Sequence, residues 1–115
     1  MAQPKTPLVF FKTDAGGEPV REWLKRLEKA DRQAIGLDLQ RPQFRRPAGI
    51  PLGRPLGQGL FEVRTNLTSN QIARVFVCHH DGELVALHGC IKKTRRTPRD
   101  DRELARKNMK KVEQS

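Results

Sequence analysis

Three β-rich runs lie close together between residues 60 and 91, at 60–67, 72–79 and 84–91. Thr68-Ser69-Asn70 separates the first two, and Asp81-Gly82 lies between the second and third. Asp-Gly flanked by apolar residues is a strong hairpin signal. Strands joined by so few residues pair antiparallel, because a parallel return needs a crossover of a dozen or more residues. Whatever else the chain does, it must therefore build around a meander of antiparallel strands.

The flanking segments supply the remaining elements. Leu8-Val9-Phe10-Phe11 is a short apolar run ahead of Thr13-Asp14-Ala15-Gly16-Gly17, and reads as a strand followed by a turn. Pro19 fits just inside a helix start. Val20, Trp23, Leu24 and Leu27 then follow helical spacing, with Arg21, Glu22, Lys25 and Arg26 on the other face. A second helix is expected over residues 31–40, with Asp31 as N-cap and Ile35 and Leu39 one turn apart. Residues 42–59 hold four prolines and four glycines and read as a long loop, a feature more often functional than ornamental. Thr97-Pro98-Arg99-Asp100-Asp101 resembles a helix start, and the helix would continue through Leu104, Ala105 and Met109 towards Val112. The expectation is one α+β domain over residues 1–115. It would have a small mixed or antiparallel four-stranded sheet, two N-terminal helices and a C-terminal helix, with the helices on one sheet face.

A chain of 115 residues can bury a core without a metal or a disulfide. It carries 23 Lys+Arg against 13 Asp+Glu, a formal net charge of +10, which points to an anionic partner. The excess is local. Residues 92–111 hold ten basic and three acidic side chains, and residues 41–55 add Arg41, Arg45, Arg46 and Arg54 without an acid. The other segments are nearly balanced. There is no apolar run of membrane-spanning length and no apolar core of a signal peptide. Cys78 and Cys90 fall in strand-like runs, so the chain reads as cytoplasmic with reduced, buried thiols.

Alternation along residues 60–66 places Phe61, Val63 and Thr65 on one face and Glu62, Arg64 and Asn66 on the other. Arg74 sits inside the apolar run 72–77, where a charge needs a partner. Glu62 across the strands can supply it. An arginine fixed in this way is also suited to clamping a phosphate, because its planar fork is rigid and always charged. His88 is the one histidine flanked by core-type residues, and a backbone carbonyl is the usual partner of such a group. With a three-residue loop His80-Asp81-Gly82, His88 falls opposite Arg74. With a two-residue loop Asp81-Gly82 the register shifts by one and His88 turns to the other face. Both registers remain open at this point. Cys78, His79, His80, His88 and Cys90 do not converge in either register and contain no C-x-x-C spacing, so no metal is expected.

The basic tail divides in two. Arg99, Arg102, Arg106 and Lys110 recur at three- and four-residue steps, as on a solvated helix face. Lys92, Lys93, Arg95 and Arg96 precede that helix with no acid among them, an arrangement suited to a phosphate backbone.

Leu87-His88-Gly89-Cys90-Ile91-Lys92-Lys93-Thr94, followed by Thr97-Pro98, resembles the L-h-G-F-x-K-K-T … T-P signature of phage-derived HigB-type toxins in the RelE/ParE superfamily. Glu62-Val63-Arg64 and Ile72-Ala73-Arg74-Val75-Phe76 resemble two earlier family segments. The resemblance runs from about residue 8 to residue 111. It implies a compact RelE-like α+β fold and a toxin that enters the ribosomal A site and cuts mRNA. It also implies a cognate helix-turn-helix antitoxin of the HigA/XRE type. By position Arg64 and Arg74 match basic residues that carry the reaction in related toxins, and Lys92 and Lys93 match the basic end of the last strand. Cys90 stands where relatives have Phe. The chain has no tyrosine, whereas many relatives use one near the last segment.

The chemistry so implied is attack of an RNA 2′-hydroxyl on the adjacent phosphate, without a metal ion or other cofactor. Arg64, Arg74, Lys92 and Lys93 would stabilise the phosphate and His88 would serve as an acid/base group. Arg54, Arg95, Arg96 and Arg99 would bind RNA, those on the loop and the tail gripping ribosomal RNA. Two alternatives stand beside this reading: a non-enzymatic gyrase poison of the ParE kind, and a basic RNA-binding module.

Overall fold

The computed structural model describes residues 6–43 and 53–114. Along the chain these form β1 (Leu8–Phe10), α1 (Pro19–Arg26), α2 (Lys29–Gln43), β2 (Arg54–Gly57), β3 (Leu60–Asn66), β4 (Ile72–His80), β5 (Glu83–Lys92) and α3 (Arg99–Gln114). The meander is present as expected. β3 pairs antiparallel with β4, and β4 with β5, while β1 lies parallel to β5 at one edge.

The sheet has five strands in the order β1-β5-β4-β3-β2, not four. The added strand is β2, within the stretch expected to be loop. Its proline and Gly57 hid it, yet Pro55 is tolerated because β2 is an edge strand, with a neighbouring strand on one side only. The ladder to β3 is irregular between Pro55 and Gly57. Gly53 allows close approach at the strand's start, since a Cβ there would lie 2.7 Å from the Glu62 carbonyl oxygen. Arg54 therefore stands on an edge strand. Arg45 and Arg46 of the same basic stretch, and the side chain of Arg41, lie outside the described residues.

The helices cover both sheet faces rather than one. Val20 of α1 and Ile35 and Leu39 of α2 pack with Val63, Val75, Val77, Leu84 and Ala86. On the opposite face Ala105 and Met109 of α3 pack with Leu60, Phe76, Cys78, Val85 and Leu87. Alternation along each strand supplies two apolar sets, so one face could not have taken every helix without leaving the other apolar set in water. α2 begins two residues before the expected position. Asp31 thus lies in its first turn, where a carboxylate opposes the positive end of the helix dipole.

The β4–β5 turn is the two-residue one. His80 pairs with Glu83, and Asp81 and Gly82 both take positive φ (51° and 77°), as a type I′ turn requires. Neither simple register then continues. The ladder shifts between Phe76 and Val77, so that Leu87 is an extra residue and His88 pairs with Phe76. This bulge returns His88 to the face that carries Arg74, two positions along from it. Arg74 itself pairs with Cys90. Asn108 of α3 donates to the Leu87 carbonyl at 2.9 Å, supplying the bulged residue with a partner from outside the ladder.

Candidate nucleic-acid interface

The α3 face of the sheet carries Glu62, Arg64 and Asn66 on β3 and Arg74 on β4. Arg64 and Arg74 are direct cross-strand partners, a pairing of like charges that repel unless neutralised. Glu62 neutralises both. Its Oε1 accepts from Arg64 Nε at 2.7 Å, and its Oε2 lies 3.1 Å from Arg74 Nε. Thr97 Oγ1 donates to the same Oε2 at 2.9 Å. The expected Arg74–Glu62 ion pair is thus present, but both side chains are 0% exposed. Arg74 Nη2 donates to the carbonyls of Thr94 and Arg96. Its Nε–H is not aligned for a hydrogen bond, and among the described residues its Nη1 meets no acceptor.

Arg74 is therefore a girder rather than a contact. With no exposed surface it touches no phosphate in this conformation, and its donors hold the backbone of residues 94–96 from beneath. The side chains above are correspondingly outward. Lys92, Lys93, Thr94, Arg95 and Arg96 are all exposed, and form a basic ridge between β5 and α3.

Clefts open on both sides of this ridge. The larger, about 630 Å³, is lined by Arg64, Asn66, Asn70, Gln71, Lys93 and Arg95, with Leu67 and Ile72. Among the described residues three cations and three amides face it, without a carboxylate. Cations suit phosphate oxygens, and amides can donate to and accept from base edges. The smaller, about 400 Å³, is lined by Arg54, Arg96, Arg99, Arg102, Thr94 and Thr97, with Leu56 and Pro98.

His88 and Lys92 belong to a different cluster. His88 Nε2 lies 2.7 Å from Asp101 Oδ1, and its ring stacks on Phe76 with centroids 5.9 Å apart. Lys92 Nζ lies 3.9 Å from the other oxygen of Asp101. A carboxylate in the first turn of α3, not a backbone carbonyl, is the partner of His88. Of the five residues expected to act on the phosphate, Arg64 and Lys93 line the larger cleft. Lys92 and His88 flank Asp101, and Arg74 is buried below.

Residues 22–110 match the family described as phage-derived protein Gp49-like (DUF891). The chain belongs to that family. Comparison with curated proteins and with solved structures gives no match. The matched span takes in Glu62, Arg64, Arg74, His88, the ridge and most of α3, and leaves out β1.

Several residues that shape this site gave no sign of that role in the sequence. Thr97 joins the ridge to Glu62, and Arg64 Nη2 also donates to Thr97 Oγ1 at 3.3 Å. Asp101 and Asn108 fasten α3 to β5. Arg106, expected on a solvated face, instead donates to the carbonyls of Leu56 and Gly57 and clasps the β2–β3 turn. Asn66, Asn70 and Gln71 were ordinary turn and strand-end residues until the fold gathered them. Gly89 has a signal in retrospect: a Cβ there would lie 2.5 Å from the Trp23 ring, so the strand needs a glycine where α1 crosses it.

Both cysteines are buried and unpaired. Burial pushes the Cys78 thiol up to about 11, with Glu113 adding to it. Cys90 is pushed up to about 12, by burial first and then by Asp101. Neither presents a thiolate at neutral pH. Among the described residues no group of three or more His, Cys, Asp or Glu gathers to hold a metal ion. No described helix is long and apolar enough to cross a membrane.

Proposed function

We propose that this Gp49-like protein is the toxin of a type II toxin-antitoxin system, of the HigB kind within the RelE/ParE superfamily, that cuts mRNA on the ribosome. The observation that carries the reading is the larger cleft, where among the described residues Arg64, Lys93 and Arg95 meet three amides and no carboxylate. Such a lining attracts a phosphodiester and can still touch bases. The signature-like run 87–98 supplies the ridge that forms one wall.

In the proposed reaction the RNA 2′-oxygen bonds to the adjacent phosphorus and the bond from phosphorus to the 5′-oxygen breaks. The products are a 2′,3′-cyclic phosphate and a free 5′-hydroxyl. Arg64 and Lys93 stabilise the charge that builds on the phosphorane oxygens. Lys93 donates a proton to the leaving 5′-oxygen, since arginine does not give up its proton in proteins. Among the described residues no imidazole or carboxylate lines the cleft, so the 2′ proton passes to water. Alignment of the 2′-oxygen is then left to the ribosome, which accounts for a reaction confined to translating mRNA. Arg74 acts through the ridge it supports. The partner that restrains the toxin would be a helix-turn-helix antitoxin of the HigA/XRE type.

The test is a purified translation system with a defined mRNA, read by primer extension. Wild-type protein should cut within the translated region, with ends that carry a 5′-hydroxyl, and Lys93→Ala and Arg64→Ala should lose at least a hundredfold in rate, about 2.7 kcal/mol of transition-state stabilisation. Intact mRNA together with inhibition of DNA supercoiling would place the chain with the gyrase poisons. The lack of an acid/base pair in the cleft favours a second reading, an RNA-binding module that does not cut. Tight binding with no cleavage on or off the ribosome would select it.

A further inference from the structure

The smaller cleft has no place in the chemistry just described, yet it is as strongly basic as the larger one. Among the described residues four arginines, Arg54, Arg96, Arg99 and Arg102, surround it together with the Thr94 and Thr97 hydroxyls, and no acid lines it. Asp101, in the same turn of α3, is turned away to His88 and Lys92. Arg99 shares its charge with Glu103 at 3.1 Å, an exposed pair that a phosphate can replace at little cost.

The two clefts are walls of one ridge. Lys93 and Arg95 face the larger, while Thr94, Arg96 and Thr97 face the smaller. The backbone that carries them bends at Lys93, Arg95 and Arg96, and the groups that hold this course are visible beneath it. Arg74 donates to the carbonyls of Thr94 and Arg96, and Glu62 accepts from Thr97. A loop crowded with cations would otherwise be free to splay.

Resting on the RNA-directed reading above, we infer that a single RNA strand lies across the ridge and places phosphates in both clefts at once. The larger cleft holds the phosphate under attack, and the smaller holds a phosphate farther along the same strand. The smaller cleft is then a subsite for the RNA phosphate backbone that sets the length of strand bound and carries no base specificity, because arginines and hydroxyls directed at phosphates do not read sequence.

The probe is an octanucleotide of fully 2′-O-methylated RNA, which has no nucleophile and reports binding without cleavage. One molecule should bind per protein. Lys93→Ala/Arg95→Ala and Arg99→Ala/Arg102→Ala should each weaken it about tenfold or more. Each pair should also lower the slope of log affinity against log salt by about 0.7, the loss of one phosphate contact on a single strand. A dinucleotide, too short to bridge, should bind far more weakly and reach two per protein. Arg54→Ala/Arg96→Ala gives an independent loss on the β2 side of the cleft should the α3 variant fail to fold. Octanucleotide binding that responds to the larger-cleft pair and ignores both smaller-cleft pairs overturns the inference and leaves the proposed function standing. Two octanucleotides per protein overturn it as well. Bridged binding without mRNA cleavage in translation keeps the inference and removes the nuclease. Absence of octanucleotide binding overturns the inference, and cleavage in the translation assay then decides the proposed function separately.

Discussion

Glu62→Gln is the substitution that most directly probes how the ridge is held. The change keeps the side chain's shape and one oxygen able to accept from Thr97, and removes the charge. Arg74 would then keep its positive charge at 0% exposure beside neutral oxygens alone, with no anion to balance it. Removing one member of a buried ion pair costs about 3–5 kcal/mol. Arg64 adds little, since its side chain is 26% exposed and water can take over its lost bond. The net expectation is a loss of about 3–4 kcal/mol, a large part of the roughly 5–15 kcal/mol that holds a domain folded. At roughly 4 °C per kcal/mol the melting point should fall by about 12–16 °C. Urea unfolding followed by circular dichroism measures the loss, and an unchanged m-value would show that the native and denatured states keep their extents. A double variant, Glu62→Gln/Arg74→Met, removes the stranded charge and should recover at least half of it. If Glu62→Gln costs less than about 1 kcal/mol, or the double variant is no better than the single, the buried charge is not what Glu62 compensates and the reasoning is refuted.

Other expectations are smaller in scope. Gly89→Ala puts a methyl group against the Trp23 ring and should cost about 1–3 kcal/mol of overpacking. The fluorescence of the chain's one tryptophan should shift to the red as α1 lifts; unchanged emission and stability would show the contact to be slack. Asn108→Ala strips the partner from the bulged Leu87 carbonyl and should cost about 1–2 kcal/mol in the same unfolding assay. For the cysteines, Cys78 at about 11 against an ordinary 9.0 implies thiol labelling at pH 8 slower by on the order of a hundredfold than in the urea-unfolded chain. Both folded values lie above the unfolded one, so this contribution to stability is intact below pH 9.0 and is lost as pH rises through about 11 and 12. The alkaline decline should therefore be shallower in a Cys78→Ala/Cys90→Ala variant.

The sequence made the elements legible where periodicity was strong and turn chemistry specific. Asp81-Gly82 predicted its hairpin because few residue pairs accept two positive φ angles in succession. β2 was hidden because Arg54-Pro55-Leu56-Gly57 is made of residues that discourage strands, and only the free edge of β3 recruits it. The position of His88 was beyond either loop rule, since an extra residue at Leu87 leaves no mark in composition. At the site, charge and alternation found Glu62, Arg64 and the ridge cations. They could not tell a buried arginine from an exposed one, because Arg64 and Arg74 differ in what covers them and not in type. Asn66, Asn70 and Gln71 escaped notice because amides near turns are common, and they matter only by convergence.

The division between Arg64 and Arg74 also explains why a basic ridge needs charges inside the sheet. Lys92 to Arg96 cannot be fixed by burying their side chains, for those must stay in water to meet an anion. Apart from Lys92, which lies beside Asp101, they are not fixed by acids alongside, because a neighbouring carboxylate would cancel the attraction. What remains is the backbone. Arg74 takes hold of it through the carbonyls of Thr94 and Arg96, and Thr97 ties its end to Glu62. That grip requires a buried guanidinium, and a buried guanidinium requires the buried Glu62. The acid at the centre of a basic site thus serves the cations without facing the ligand. It sits one layer below them, where its charge balances Arg74 and where it adds no carboxylate to the described lining of either cleft.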